Sequence, residues 1–186
     1  MSKNPKIAVL GGGSWATAIV KMLCENLEQV GWYMRNQSVV DYIKENEHNP
    51  NYISSAEFNV NQLFLSSDIN EMVKYADILI FAIPSAFVKA ELDKINLDLS
   101  SKIVVSAIKG IIPETELIVG EHLNQVMGVP MKNIGVITGP CHAEEVALER
   151  LSYLTIACLD LKNGRAMAGL LANNYIKTQV SRDVVG

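Results

Sequence analysis

One stretch constrains this chain more than any other: KIAVLGGGSWATAIVKML, residues 6–23. An apolar run meets a helix-like segment through three consecutive glycines. Glycine weakens both strands and helix interiors, so three together mark a backbone that needs unusual conformations or close approach. The spacing is Gly11-x-Gly13-x-x-Ala16, the G-x-G-x-x-G/A fingerprint of a strand–turn–helix unit that cradles a dinucleotide pyrophosphate. In that reading Gly11 permits the tight turn, Gly13 lets the backbone approach the phosphates, and Ala16 lets helix and strand pack closely. The helix start adds free N–H groups and a partial positive charge. The alternative is a plain strand-to-helix turn. The position of the motif between a strand and a helix, inside a βαβ unit, favours nucleotide binding.

The rest of the chain repeats that alternation. Strands are expected at 6–10, 29–34, 77–83, 102–108, 133–138, 152–159 and 175–181, with a short one near 63–65. Helices are expected at 14–27 with Ser14 as N-cap, at 38–46, 68–76, 113–128 with Pro113 at its start, 142–150 and 162–173. Residues 48–67 read as irregular, punctuated by Pro, Asn and Ser. Strand followed by helix, repeated, predicts an α/β fold: a Rossmann-like, doubly wound, mostly parallel sheet with helices on both faces. The strands are nearly all apolar, as strands covered on both sides must be.

Composition narrows the class. With 186 residues the chain is long enough for one full domain. Charged residues make up 19% and the net charge is -4, with no Lys/Arg-rich run, which argues against nucleic acid as a partner. No apolar run reaches the ~18 residues of a membrane span, and MSKNPKIAVL lacks the layout of a signal peptide. Cys24, Cys141 and Cys158 are odd in number and widely spaced, which fits reduced thiols in a cytoplasm. No metal-ligand spacing appears.

The end of the second strand bears on which nucleotide binds. NAD binders carry a carboxylate there for the ribose hydroxyls. Here the stretch is GWYMRNQS, and 22 residues past Gly13 stands Arg35, with no carboxylate near. A guanidinium suits a 2′-phosphate and can stack on adenine, which favours NADP over NAD; the alternative is a solvated surface charge. Ligands of such sheets bind beyond the carboxyl ends of the strands. FAIPSAF places Pro84 and Ser85 at one end, SAIKGI places Lys109-Gly110 at another, and ITGPCHAEEVA places Gly139, Pro140, Cys141 and Ala143 at a third. Lys109 can reach a phosphate or the cofactor, or simply be solvated. Cys141 reads as a small side chain lining an anion site rather than a nucleophile. His142 falls at a helix start, His48 in a loop and His122 on a helix surface.

Taken together, GGGSWATA, the arginine after the second strand, FAIPS, SAIKGI and GPCHAEEVA resemble, in order and across nearly the whole chain, the bacterial NAD(P)-dependent glycerol-3-phosphate dehydrogenases. That family reduces dihydroxyacetone phosphate to sn-glycerol 3-phosphate for glycerophospholipid synthesis. The resemblance implies that Ser14, Trp15 and Arg35 contact NADPH, with NAD as the lesser cofactor. It implies that Lys109 touches both cofactor and substrate, that Gly139 and Cys141 line the substrate site, and that Ala143 lies by the cofactor. Tyr52 and Phe87 are implied as aromatic contacts to the adenosine end. A homodimer is expected for the full-length protein.

The chain departs from the family in three ways. The third fingerprint glycine is Ala16. The family pattern GP[ST]FA reads GPCHA, so a thiol, a weaker hydrogen-bonding group than a hydroxyl, stands at Cys141, and His142 replaces an aromatic. The family also continues into an all-helical domain carrying the general-acid lysine, so residues 1–186 are expected to be the cofactor domain alone, with that lysine beyond Gly186. Two other readings stay open. One is a dehydrogenase of ketopantoate reductase or 6-phosphogluconate dehydrogenase type. The other is a non-catalytic dinucleotide-sensing module.

Overall fold

The computed structural model describes residues 5–185. The chain runs β1 (Ile7–Leu10), α1 (Ser14–Cys24), β2 (Val30–Tyr33), α2 (Gln37–Asn46), β3 (Leu63–Ser66), α3 (Ile69–Tyr75), β4 (Ile78–Phe81) and α4 (Ser85–Leu92). It continues through β5 (Ile103–Ser106), β6 (Ile111–Ile112), β7 (Leu117–Ile118), α5 (Val119–Gln125), β8 (Ile134–Thr138), α6 (Ala143–Ala147), β9 (Ser152–Cys158), α7 (Leu161–Leu171) and β10 (Ile176–Ser181). Eight strands form one sheet in the order β10-β9-β8-β5-β4-β1-β2-β3. Every neighbouring pair in it is parallel except β8 with β9. The expected doubly wound, mostly parallel sheet is what forms.

The alternation of side chains along each strand explains why the strands read as apolar throughout. In β1, Ile7 and Val9 enter the core on one face of the sheet, and Ala8 and Leu10 enter the core on the other. The first core takes its helix residues from α1, α2, α6 and α7, including Ala16, Ile19, Ile43, Val146 and Met167. The second takes them from α3, α4 and α5, including Met72, Val88 and Leu123. Residues such as Leu10 are wholly buried, and truncating one to alanine costs about 2–5 kcal/mol. Two aspartates start helices by accepting backbone N–H bonds: Asp68 from Asn70, and Asp160 from Lys162 and Asn163.

Three expectations need correcting. Ser14 is not the N-cap of α1: Gly13 is, in extended conformation, and Ser14 is the first helical residue. Residues 113–128 are not one helix. Pro113 is the second residue of a turn closed by a bond from the Thr115 N–H to the Ile112 carbonyl, a position where its fixed φ is equally at home. The turn joins β6 to β7, pairing Ile111 with Ile118 and Ile112 with Leu117, before the short α5. His122 is not on a helix surface but 2% exposed, because the β6–β7 hairpin folds back and Thr115 Oγ1 meets its Nδ1 at 3.2 Å. Beyond these, the residues after Pro84 form a helix that the sequence pattern does not mark, α4.

The winding sets the site. The chain proceeds outward from β1 to β2 to β3, then returns to place β4 on the other side of β1. The connections on the two sides of β1 therefore lead to opposite faces, and a crevice opens at the carboxyl ends of β1 and β4.

Candidate functional site

The glycine turn occupies that crevice. Gly11 adopts φ +135°, and a Cβ there would lie 2.4 Å from the Ala82 carbonyl oxygen, so only glycine fits where the turn leaves β1 against the end of β4. Gly13 is different: a Cβ there would meet nothing among the described residues within 4 Å. Packing does not demand glycine at that position, whereas a ligand lying against the backbone would. Ala16 is wholly buried at the start of α1.

Three side chains grip the carbonyls of the turn. Trp32 Nε1–H donates to the Gly11 oxygen at 2.8 Å. Asn49 Nδ2 donates to the Gly12 oxygen at 3.0 Å. The Gly13 oxygen accepts from the Thr17 N–H at 2.9 Å and from Thr17 Oγ1 at 3.0 Å. The described peptides are trans, so each following N–H points away from the held carbonyl. The turn thereby keeps N–H groups at the start of α1 available for an anion, where the helix dipole also favours one.

A cleft of about 790 Å³ extends from this turn across the ends of β4, β5 and β8. Gly13, Ser14, Trp15 and Tyr52 line one side of it. Lys109, Gly139, Cys141 and Ala143 line the side built on β5, β8 and α6. Of the cofactor and substrate contacts expected from sequence, these eight share one cavity, and the strand-end residues Pro84, Ser85 and Gly110 line it too. Three do not line it. Gly11 is buried within the turn itself. Arg35 is exposed just past the end of β2, and Phe87, in the first turn of α4, is 59% exposed.

Lys109 is exposed and precedes Gly110, whose φ of +92° turns the chain into the β6–β7 hairpin. The Cys141 thiol donates to the Tyr153 carbonyl at 2.8 Å, an internal partner for the thiol that stands in place of a hydroxyl. Gly139 has φ +146°, with a Cβ position 2.5 Å from the same Tyr153 oxygen, so β9 presses on the turn that carries Cys141. His142 lines the cleft beside it as the N-cap residue of α6. His122 is a buried residue of α5, its pKa lowered by burial first and by the Lys89 charge second.

Sequence reasoning missed several contributors. Trp32 and Thr17 look like ordinary strand and helix residues. Asn49 sits in the irregular stretch, where asparagine signals only a turn. Ile118, Val119 and Gly120 enter the cleft wall because the hairpin carries the start of α5 there. Among the described residues, no helix is long and apolar enough to cross a membrane.

Comparison with known proteins agrees with the geometry. A family model described as the NAD-dependent glycerol-3-phosphate dehydrogenase N-terminus matches residues 6–177. The chain is similar to a glycerol-3-phosphate dehydrogenase of the NAD(P)+ type from Limosilactobacillus fermentum, with 33% identity over 97% of this chain and 55% of that protein. It is also 33% identical to one from Exiguobacterium, covering 97% of this chain and 53% of the relative. The chain thus spans about half the length of the curated relatives it matches. Among solved structures, a glycerol-3-phosphate dehydrogenase from Plasmodium falciparum superposes with a TM-score of 0.86 at 24% identity, over 97% of this chain and 53% of that one. One from Saccharomyces cerevisiae superposes with a TM-score of 0.81 at 22% identity, over 98% and 57%. Those structural likenesses establish the fold, and the family match over most of the chain establishes kinship: this chain belongs to the NAD-dependent glycerol-3-phosphate dehydrogenase N-terminal family.

Proposed function

We propose that this chain binds NADPH, and NADH more weakly, as the cofactor-binding part of an enzyme that reduces dihydroxyacetone phosphate to sn-glycerol 3-phosphate for glycerophospholipid synthesis. The observation that carries this reading is Gly13. It faces the cleft at the switch point of the sheet, with space where a side chain would be and no packing reason for glycine. The turn around it is shaped for a pyrophosphate.

When bound, the nicotinamide supplies a hydride to the ketone carbon. The chain's own residues bind and orient. Gly11 shapes the turn. Gly13, Ser14 and Trp15 hold the phosphates and the adjoining cofactor, Arg35 grips the 2′-phosphate, and Tyr52 and Phe87 lie along the adenosine half. Ala143 bounds the cofactor near β8. The Lys109 ammonium attracts the substrate phosphate or the polarised oxygen, and Gly139 and Cys141 form the floor beneath the substrate. A general acid must protonate the developing alkoxide. We assign it to a lysine of a second, helical domain that completes the cleft, in a protein that works in the cytoplasm and dimerises when full length.

Calorimetric titration with NADPH and, separately, NADH tests the reading on the wild-type chain and Arg35→Ala. The expected result is tighter NADPH binding that falls to the NADH value in the variant. Binding of neither dinucleotide by the wild-type chain overturns the reading. Robust reduction of dihydroxyacetone phosphate by these 186 residues alone overturns the assignment of the general acid to a second domain.

A further inference from the structure

Asn49 is wholly buried, yet it lies in the connection between α2 and β3 rather than in a strand or helix. Its amide is fully engaged. Nδ2 donates to the Gly12 carbonyl and to Thr17 Oγ1, each at 3.0 Å. Oδ1 accepts the Asn51 N–H at 3.0 Å. Thr17 in turn donates its hydroxyl proton to the Gly13 carbonyl. One side chain therefore ties together the glycine turn, the first turn of α1 and the backbone immediately before Tyr52, which lines the same side of the cleft as Gly13.

We infer that Asn49 is a positioning residue for the dinucleotide: it holds the glycine turn in its anion-accepting form and fixes Tyr52 beside it, so that neither segment of that side is set without the other. The inference rests on the dinucleotide reading above. Its chemistry is specific to an amide. Two acceptors must be met by donors and one N–H by an acceptor, and asparagine supplies all three from one planar group. An aspartate of the same shape turns the donor end into an oxygen facing the Gly12 carbonyl, in a site with no access to water. The Gly12 peptide is then free to rotate, and with it the Gly13 N–H.

The deciding variant is Asn49→Asp, with Asn49→Ala beside it. Two readouts are taken on the whole chain: backbone hydrogen exchange without ligand, and NADPH affinity by calorimetry. The expected result is faster exchange in two segments together, at Gly11 and Thr17 around the turn and at Asn51, whose N–H groups are bonded to the Tyr33 carbonyl, the Gly13 carbonyl and Asn49 Oδ1, with β1 and β2 still protected, and a loss of NADPH affinity of about tenfold or more. A double variant with Tyr52→Ala then loses less than the sum of the two single losses, because Asn49 acts partly through Tyr52. A purely structural role predicts even loss of protection throughout and additive losses. Unchanged exchange in either segment, or affinity within twofold of wild type, overturns the inference. If Asn49→Asp does not fold, Thr17→Val removes the hydroxyl link alone, and the same local exchange signature is required of it. If the wild-type chain binds neither dinucleotide, the functional reading has failed, and coupled exchange of the two segments alone decides the clamp.

Discussion

Trp32 Nε1–H donates to the carbonyl oxygen of Gly11 at 2.8 Å, with the indole wholly out of solvent. The bond joins the centre of β2 to the exit of β1 and leaves the tryptophan's only polar atom satisfied in the core. Its ring also packs against Phe58, with centroids 5.2 Å apart, which ties the connection between α2 and β3 to the same place. Trp32→Phe keeps much of the apolar volume but orphans the Gly11 carbonyl. It is expected to cost about 1–3 kcal/mol, read as a lower denaturation midpoint with unchanged slope in urea.

Gly11 and Gly13 are expected to fail in opposite ways when changed to alanine. At Gly11 the left-handed φ and the Ala82 carbonyl leave no room for a methyl group, so Gly11→Ala loses folding stability. At Gly13 the backbone is extended at φ -83° and the methyl meets nothing among the described residues. Gly13→Ala is therefore expected to stay within about 0.5 kcal/mol of wild-type stability, as substitutions away from packed features do, while NADPH affinity collapses. Thermal melts paired with calorimetric titration separate the two, and a Gly13→Ala variant with wild-type affinity would remove the glycine's role in binding.

Burial lowers the pKa of His122, and the neighbouring Lys89 charge lowers it further, against Asp93 and Glu114. Above the ordinary value of 6.5 the imidazole is neutral in both folded and unfolded chains and contributes nothing to pH dependence. Below it the unfolded chain takes up a proton that the folded chain refuses, so stability falls as pH drops from there to the folded pKa. The slope from this one group is at most about 1.4 kcal/mol per pH unit. Urea titrations between pH 7 and 5 are expected to show it, and His122→Gln is expected to flatten it.

Cys141→Ser replaces the thiol donor to the Tyr153 carbonyl with a stronger donor of smaller radius. Stability is expected to stay within about 0.5 kcal/mol. In a protein that includes the second domain, tighter apparent binding of dihydroxyacetone phosphate would be the signature of a hydroxyl that serves the substrate better than a thiol. Loss of stability instead would make Cys141 a packing residue.

The strands at 6–10, 77–83 and 102–108 were legible because both faces of a central parallel sheet are buried, which leaves an unbroken apolar run in the sequence. The glycine turn was legible because its requirements are local: a left-handed φ at Gly11 and open space at Gly13. The hairpin after Gly110 was not, because Pro113 and the residues after it suit a helix as well as a turn, and the choice rests on β6, with Ile112, packing against α4 and α5 and on Thr115 meeting His122.

What the sequence determined by itself is the class of fold and the turn at the head of α1. These follow from periodicity and from glycine, properties carried by neighbours along the chain. Only the tertiary structure decided that Trp32, Asn49 and Thr17 hold that turn by its carbonyls, and that Lys109 and Cys141 face it across one cleft. Asn49 lies 37 residues from Gly12, and no local pattern marks a polar side chain whose partners arrive only when the sheet has closed.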